Sequence, residues 1–497
     1  MILISLLVGG CLLLYIIVNV YVYLERRKYC HFKSPPVRIS PIWFLGVLPE
    51  YLSYTKKTKG LVFYEFHRVY GWDLFVIPIF TRNFIFCLDL GMLSTVCNDR
   101  TTFPKSDDIR NILGSIAGTR IFGEHGLLKD PGSNLWQAKR RTIEPAFKKA
   151  SLKMIVKDLN LITENLINRL QKNGSPNTVD ITKEMCRTGF EAVSVCGFNW
   201  SQELLKKNGD DVLEQANIVI NTISLAFREI ATFNFPWSRR PEKRKLNKNL
   251  PILRRLVRTH LQDRMKNHSN GEDDILSHII RSNKCSDHLT IEDLVDEYLL
   301  FVFAGMDTTA IVMAITLFNL ARYPEVLRKV QNEVDEVFGD KNELAFEDVN
   351  KLVYLEMVFK ETMRLKPPVT WTARQCKKDN VIISGHAIPK GAEIIVPIQA
   401  IHKDPFAWER PEEFIPERFS PEGRRNNTSV SHMPFMIGQR RCIGKNFAML
   451  EMKTVVSRIV RDFRIENPDP HLQEVETGGA LTARPVNGVN LRLISRR

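Results

Sequence analysis

The chain has 497 residues, 44% hydrophobic and 25% charged, with 70 Lys and Arg against 56 Asp and Glu. These proportions exclude a disordered, collagen-like or polytopic membrane protein, and the net charge of +14 calls for an acidic partner, a membrane surface or nucleic acid. The nine cysteines are widely spaced and form no C-x-x-C pair, which excludes a disulfide-stapled secreted scaffold and fits a reducing compartment.

Residues 1–24 carry no charge. As a helix they would be about 36 Å long, against a hydrocarbon core of about 30 Å. No basic region precedes the run; Arg26, Arg27 and Lys28 follow it, and Tyr15, Tyr21 and Tyr23 suit the interface. The reading is a transmembrane anchor at 1–24 with the rest of the chain cytosolic. Residues 25–50 hold the basic cluster, then Pro35, Pro36, Pro41 and Pro49, a stiff non-helical spacer. Residues 51–497 contain no further linker and no repeat, and read as one large domain. Strand-like alternation falls near 74–86 and 381–397; elsewhere helical periods dominate, so the fold class is mainly α with minor β.

Motifs follow along the chain. Trp136 and Arg140 stand one helical turn apart, a spacing shared by ordinary surface packing and by an anion site. Segment 233–245 joins aromatics to a basic run, which suits an anionic lipid surface or a solvated loop equally. Thr290 and Asp293 form a capping box for a helix reaching about Ala321, which Tyr323-Pro324 stops. Its middle is apolar all round except for Ala304-Gly305-Met306-Asp307-Thr308-Thr309. Small residues at 304 and 305 would let a ligand lie against the backbone, and Thr308 can loosen the helical hydrogen bonding. A buried acid there needs a hydrogen-bonded purpose. Glu361 and Arg364 share a helical face before Pro367-Pro368, and Pro416-Glu417-Arg418-Phe419 follows.

Residues 435–444 contain Phe435, Gly438, Arg440, Cys442 and Gly444. A thiolate ligand needs a Cys on a rigid loop with backbone N–H groups and a cation nearby. Gly438 and Gly444 are read as positions free to take positive φ and to approach a flat macrocycle. The helical run after Cys442 stabilises negative charge there, and Arg440 can pair with an anionic group.

This pattern, F-x-x-G-x-R-x-C-x-G, matches the haem-binding signature of the cytochromes P-450, and the chain resembles that family over nearly its whole length. The resemblance implies a cytochrome P-450 fold with Cys442 as axial thiolate of haem b, a ligand that favours O–O cleavage. It implies a proton-delivery pair in Thr308 and Asp307, with the acid connecting to solvent, and a haem contact at Ala304. Haem-propionate donors would be Trp136, Arg140 and Arg440, and Glu361, Arg364 and Arg418 would form a structural ionic triad. Relatives that attach haem covalently carry Glu where this chain has Ala304, which implies non-covalent haem. QNEVDEVFG, YLEMVFKETMRLKPP and GGALTARPVNGVNLRL look similar to the group of fatty-acid ω-hydroxylases and cholesterol 24-hydroxylase.

By the same analogy the pocket draws on Ile109, Ile112, Leu113, Phe303, Val369, Trp371 and Leu481, implying a lipophilic substrate, a sterol or long-chain fatty acid. No dinucleotide or flavin fingerprint is present, so electrons from NADPH must come through a separate reductase, with cytochrome b5 a further candidate partner. Lys139, Arg141, Lys148, Lys149, Arg441 and Lys445 would form its docking patch. The implied activity is a monooxygenase inserting one atom of O2, held by the endoplasmic reticulum membrane. Two alternatives stand beside it: a haem-thiolate isomerase or dehydratase acting on peroxides, and a non-catalytic haem-binding sensor. The intact Asp307–Thr308 pair favours the monooxygenase. No motif points to nucleic acid. Asn199, Asn267, Asn426 and Asn427 begin glycosylation sequons that a cytosolic body would leave unmodified.

Overall fold

The computed structural model describes residues 16–25, 27–32, 73–79, 82–106, 134–174, 178–200, 214, 241–266, 274–277, 290–423, 430–478 and 482–496. Residues 1–15, the Pro-rich spacer from 33 to 50, Ile109, Ile112, Leu113, residues 233–240, Leu481 and the sequons at Asn267, Asn426 and Asn427 lie outside them.

In chain order the elements begin with α1 (Ile16–Glu25), β1 (Leu74–Ile79), β2 (Arg82–Cys87) and α2 (Leu90–Asn98). Then come α3 (Asn134–Ile143), a 3-10 turn (Glu144–Phe147), α4 (Lys149–Met154), α5 (Val156–Gly174), β3 (Thr178–Asp180), α6 (Ile181–Phe198) and α7 (Pro241–Lys266). Next are α8 (Ile291–Arg322), α9 (Pro324–Phe338), α10 (Phe346–Lys351), α11 (Val353–Leu365), β4 (Thr372–Gln375), β5 (Val381–Ile383), β6 (His386–Ile388), β7 (Glu393–Val396) and α12 (Ile398–His402). A second 3-10 turn (Pro416–Phe419), α13 (Lys445–Asp462), β8 (Phe463–Glu466), β9 (Thr477–Gly478), β10 (Arg484–Pro485) and β11 (Asn490–Ser495) complete the chain. The fold is mainly helical with minor sheet, and it divides into two compact units.

The first unit comprises Met1–Asp107, Trp371–Pro411 and Asn427–Arg441. Its sheet runs β1-β2-β7-β4, with β2 and β7 parallel and the other two pairs antiparallel. Phe75, Ile77, Ile85, Ile394 and Val396 are buried, as the β-branched and aromatic content of these strands requires. The chain after α1 turns back onto the β5–β6 hairpin: His31 Nε2 donates to the Ala387 carbonyl at 2.8 Å, and buried Phe32 stacks on His386 with centroids 5.6 Å apart. On α1, Ile16, Ile17, Val20, Tyr21, Tyr23 and Leu24 are exposed, whereas Val22 is buried.

The second unit comprises Asp108–Thr370, Glu412–Asn426 and Cys442–Arg497. Helix α8 is its core. Although long and apolar enough to cross a membrane, it is buried over most of its length. Thr290 caps it, with Asp293 N–H donating to Thr290 Oγ1 at 3.2 Å and Thr290 N–H to Asp293 Oδ2 at 2.8 Å. Pro324 then opens α9, whose Val330, Val334 and Phe338 form a buried stripe. Two glycines let α6 lie close along α8. A Cβ on Gly189 would come 3.0 Å from the Met306 carbonyl oxygen, and one on Gly305 would come 2.5 Å from Val193 Cγ2. A three-stranded sheet, β3-β11-β8, and a two-stranded antiparallel sheet of β9 and β10 complete this unit.

Candidate functional site

Cys442 stands two residues ahead of Gly444, the N-cap of α13, so it lies where the unpaired N–H groups of that helix begin. Gly444 has φ −84° and ψ 8°, an ordinary conformation, so its expected positive φ is not used. A Cβ there would sit 3.9 Å from both Cys442 Sγ and Phe147 Cε1, an ordinary contact distance that places the thiol and this ring on either side of one position. Phe147 stacks on Phe301 of α8 at 6.0 Å and meets Phe447 of α13 edge-on at 6.4 Å. One aromatic wall therefore links the thiol to the core helix. None of the described cysteines is in a disulfide. Cys87, Cys97, Cys186, Cys196 and Cys376 are buried, and burial pushes each thiol up, Cys186 to about 12. Cys442 is exposed. A ligand must be reached and deprotonated, and Cys442 meets the first condition where those five fail both.

The loop that leads into Cys442 belongs to the first unit. Gly438 has φ 75°, as expected, and any Cβ there would lie 2.3 Å from the Cys97 carbonyl oxygen. Met436 also takes a positive φ, 61°, which nothing in the motif foretold. Phe435 is half-buried and Arg440 buried. His402 anchors the loop: its Nε2 accepts the Met433 N–H at 2.9 Å, and its ring stacks on His432 at 5.1 Å.

On α8, Ala304 is exposed beside buried neighbours such as Val302 and Met306. Gly305 does not share that opening; it faces Val193 and serves helix packing. Thr308 is half-buried, and its Oγ1 donates to the Ala304 carbonyl at 2.7 Å. Thr309 repeats the back-bond to Gly305 at 2.7 Å, so two successive hydroxyls engage α8 carbonyls across this turn. Asp307 is 0% exposed, sealed from solvent, and is ion-paired with Arg484 of β10. Burial opposes the Arg484 charge, yet Asp307 beside it holds the guanidinium above its ordinary range. Behind Thr309 lies Glu451 of α13, fully buried, with its Oε1 3.3 Å from Thr309 Oγ1. Burial pushes the Glu451 carboxyl up to about 8, against the pull of that hydrogen bond.

The structure brings Glu361, Arg364 and Arg418 together. Arg364 Nε and Nη2 donate to Glu361 Oε2 and Oε1 at 2.7 and 2.9 Å, and Arg418 Nε lies 3.3 Å from Oε1. Ile415 N–H also donates to Oε1 at 2.9 Å, and Arg364 Nη2 to the Glu413 carbonyl at 3.0 Å. Trp136 and Arg140 are both buried on α3, off the solvated surface that ordinary packing of such a pair would give. Arg141, Lys148, Lys149 and Lys445 are exposed on the second unit, and Arg441 on the first. Phe303, Val369 and Trp371 are half-buried.

A haem fits what this chain provides. The second unit pairs an accessible thiol at a helix start with an aromatic wall, a small exposed step at Ala304, and a buried indole and guanidinium on α3. Among described residues there is no group of three or more His, Cys, Asp and Glu placed to hold a metal ion.

The family described as Cytochrome P450 matches residues 35–489. Cytochrome P450 4V2 of Rattus norvegicus is 30% identical over 397 residues, covering 75% of this chain and 74% of that protein. Cytochrome P450 3A9 of Rattus norvegicus is 27% identical over 452 residues, 86% of this chain and 84% of the relative. The crystal structure of cytochrome P450DA heme domain superposes with a TM-score of 0.80 at 24% identity, covering 94% of this chain and 97% of that one, a likeness of fold. The chain belongs to the cytochrome P450 family, as a monooxygenase with haem and a cysteine thiolate ligand.

Proposed function

We propose that the protein is a membrane-anchored monooxygenase that hydroxylates a lipophilic substrate, a sterol or long-chain fatty acid, with electrons from NADPH through a partner flavoprotein reductase. The observation that carries this reading is the Ala304–Thr309 turn of α8: an exposed small step, a hydroxyl and a buried carboxylate, next to the aromatic wall that the Cys442 thiol shares. Haem, when bound, supplies the activation of O2 and the transfer of one oxygen atom to a C–H bond. Cys442 ligates it, stabilised as thiolate by the start of α13. Trp136 and Arg140 offer buried N–H donors to its carboxylates.

The chain's own chemistry is proton supply. Thr308 Oγ1 holds the proton at the exposed step, and the Asp307 carboxylate at the adjacent helical position acts as a relay, accepting a proton from solvent and passing it on to Thr308. Apolar Phe303 and Val369 help exclude water and favour an apolar substrate. Residues 1–24 anchor the chain in the endoplasmic reticulum membrane, with Arg26, Arg27 and Lys28 on the cytosolic side. Arg141, Lys148, Lys149 and Lys445 receive the acidic face of the reductase. Reconstitution of the full chain in vesicles with reductase and NADPH, against a panel of sterols and fatty acids under labelled O2, tests this. One labelled oxygen per product molecule is expected; no reductase-dependent product across the panel overturns it.

A further inference from the structure

The chain enters Cys442 through a loop that is pinned at two points and strained between them. The first point is Met433, which is buried and has both backbone groups engaged. Its N–H donates to His402 Nε2 at 2.9 Å, and its carbonyl accepts the Met436 N–H at 2.9 Å. The second is Gly438, whose backbone lies so close to the Cys97 carbonyl near the end of α2 that a Cβ would come within 2.3 Å. Between them Met436 takes φ 61°, a conformation unfavourable for any residue with a Cβ, which persists only where the surroundings impose it.

His402 is held in place by the sheet of the first unit. Strand β7 lies inside that sheet, between β2 and β4, and is buried along its length. Pro397 follows it directly and caps α12, where Ile398, Ala400 and Ile401 are buried and His402 is 0% exposed. The His402 ring also stacks on His432 at 5.1 Å, and His432 meets buried Trp408 edge-on at 6.2 Å. Two roles are therefore open to this ring, a packing plate for His432 and an acceptor for a buried N–H. Only the second fixes a backbone group, because a buried N–H that loses its acceptor carries the full cost of its lost water, and the turn opens rather than keep it unpaired.

We propose that His402 is a positioning residue for the thiolate: by accepting the Met433 N–H it holds the turn that forces Met436 into the left-handed region, and with it the path by which the chain reaches Cys442. This rests on the reading of Cys442 as the haem ligand. Without the acceptor, Met436 relaxes to an ordinary φ and the sulfur is held less firmly. Cys442 Sγ then more readily takes a proton from solvent as its bond to iron breaks, with no electron transferred.

The test uses the full haem-loaded chain as two variants that separate the roles. His402→Phe keeps a stacking ring but accepts nothing, whereas the side-chain oxygen of His402→Gln reaches about as far as Nε2 but cannot stack. The readout is the rate at which the thiolate signature of the reduced carbon monoxide complex gives way to the thiol form, in urea well below each variant's unfolding midpoint. His402→Phe should lose the signature about tenfold faster than wild type, the size expected for one buried hydrogen bond, and His402→Gln should stay within about threefold. Met436→Gly, which takes the left-handed conformation without strain, should return part of the loss when added to His402→Phe.

A packing role predicts the reverse order, with His402→Phe near wild type and His402→Gln fast. That order, or two variants that do not differ, overturns the proposal, and so does a His402→Phe/Met436→Gly double variant as fast as His402→Phe alone. Cys442→Ser tests the reading beneath: if it keeps the thiolate signature, the ligand reading fails. If it loses the signature while His402→Phe behaves as wild type, the ligand reading stands and the role of His402 falls. Should His402→Phe not fold, His402→Gln still decides, since it must fold and stay within that threefold; otherwise the proposal falls.

Discussion

Glu451 is a carboxylic acid at neutral pH. Burial lifts it from an ordinary 4.5 to about 8, with Thr309 Oγ1 its hydrogen-bond partner. Between those values the folded chain keeps a proton that the unfolded chain gives up, so Glu451 makes stability fall as pH rises through that window. Glu451→Gln should flatten this one-proton slope in urea midpoints measured from pH 5 to 8.5, and should gain most at the alkaline end. An unchanged slope would place the titration elsewhere. Cys442→Ser should leave the fold intact but remove the thiolate signature from the reduced carbon monoxide spectrum, because the serine hydroxyl does not ionise at neutral pH. Cys442, Asp307 and Thr308 were legible because their spacings are local. Arg484 and Glu451 were not: their partners lie 177 and 142 positions away, and no local pattern marks a residue whose meaning is a distant contact. His402 was missed for the same reason, since a His at the end of a short helix carries no signal until Met433 N–H is seen to reach it.

Helix α11 and the 3-10 turn at Pro416–Phe419 are joined through one carboxylate. Glu361 accepts from Arg364, Arg418 and the Ile415 backbone, with Glu361 and Arg364 both 0% exposed. Removing one partner from a buried set leaves an uncompensated charge, and Glu361→Gln should cost about 3–5 kcal/mol in denaturant unfolding. Arg364→Leu in the same background should recover part of that loss, because it removes the stranded cation; further loss would argue that the Arg364 bond to the Glu413 carbonyl matters more than charge pairing. The ends of α8 were legible from Thr290, Asp293 and Pro324, whose capping and breaking chemistry acts within a few residues. The purpose of Gly305 was not. As text it is a small residue beside Ala304, and only the approach of Val193 separates a packing glycine from an opening.

At the scale of the molecule, the net charge of +14 finds an outlet in exposed Arg141, Lys148, Lys149 and Lys445. If these cations receive the reductase as proposed, their attraction to its acidic face would be screened over roughly 10 Å at 0.1 M salt. Electron transfer should therefore slow as ionic strength rises, and Lys445→Glu should slow it further at low salt and blunt the dependence, measured as the rate of haem reduction by the reductase. Salt-independent reduction would remove these cations from the interface. The fold class was legible because helical periods fill most of the text and a few strands interrupt them. The small sheets were harder to read: β9 and β10 are two residues each, and β3 three, lengths at which alternation carries no information.

The turn after α1 bears on how the protein can be handled. His31 and Phe32 grip the β5–β6 hairpin, and burial beside Glu25, Glu393 and Cys376 pushes the Tyr29 phenol up to about 12. The boundary between what can be trimmed and what cannot thus falls at about residue 26, well before the proline spacer that looks like the natural cut. A shortened form starting at Arg27 keeps the clasp, whereas one starting at Pro35 uncovers the hairpin face that Phe32 now shields and leaves an apolar spot through which copies of the shortened chain would stick to one another.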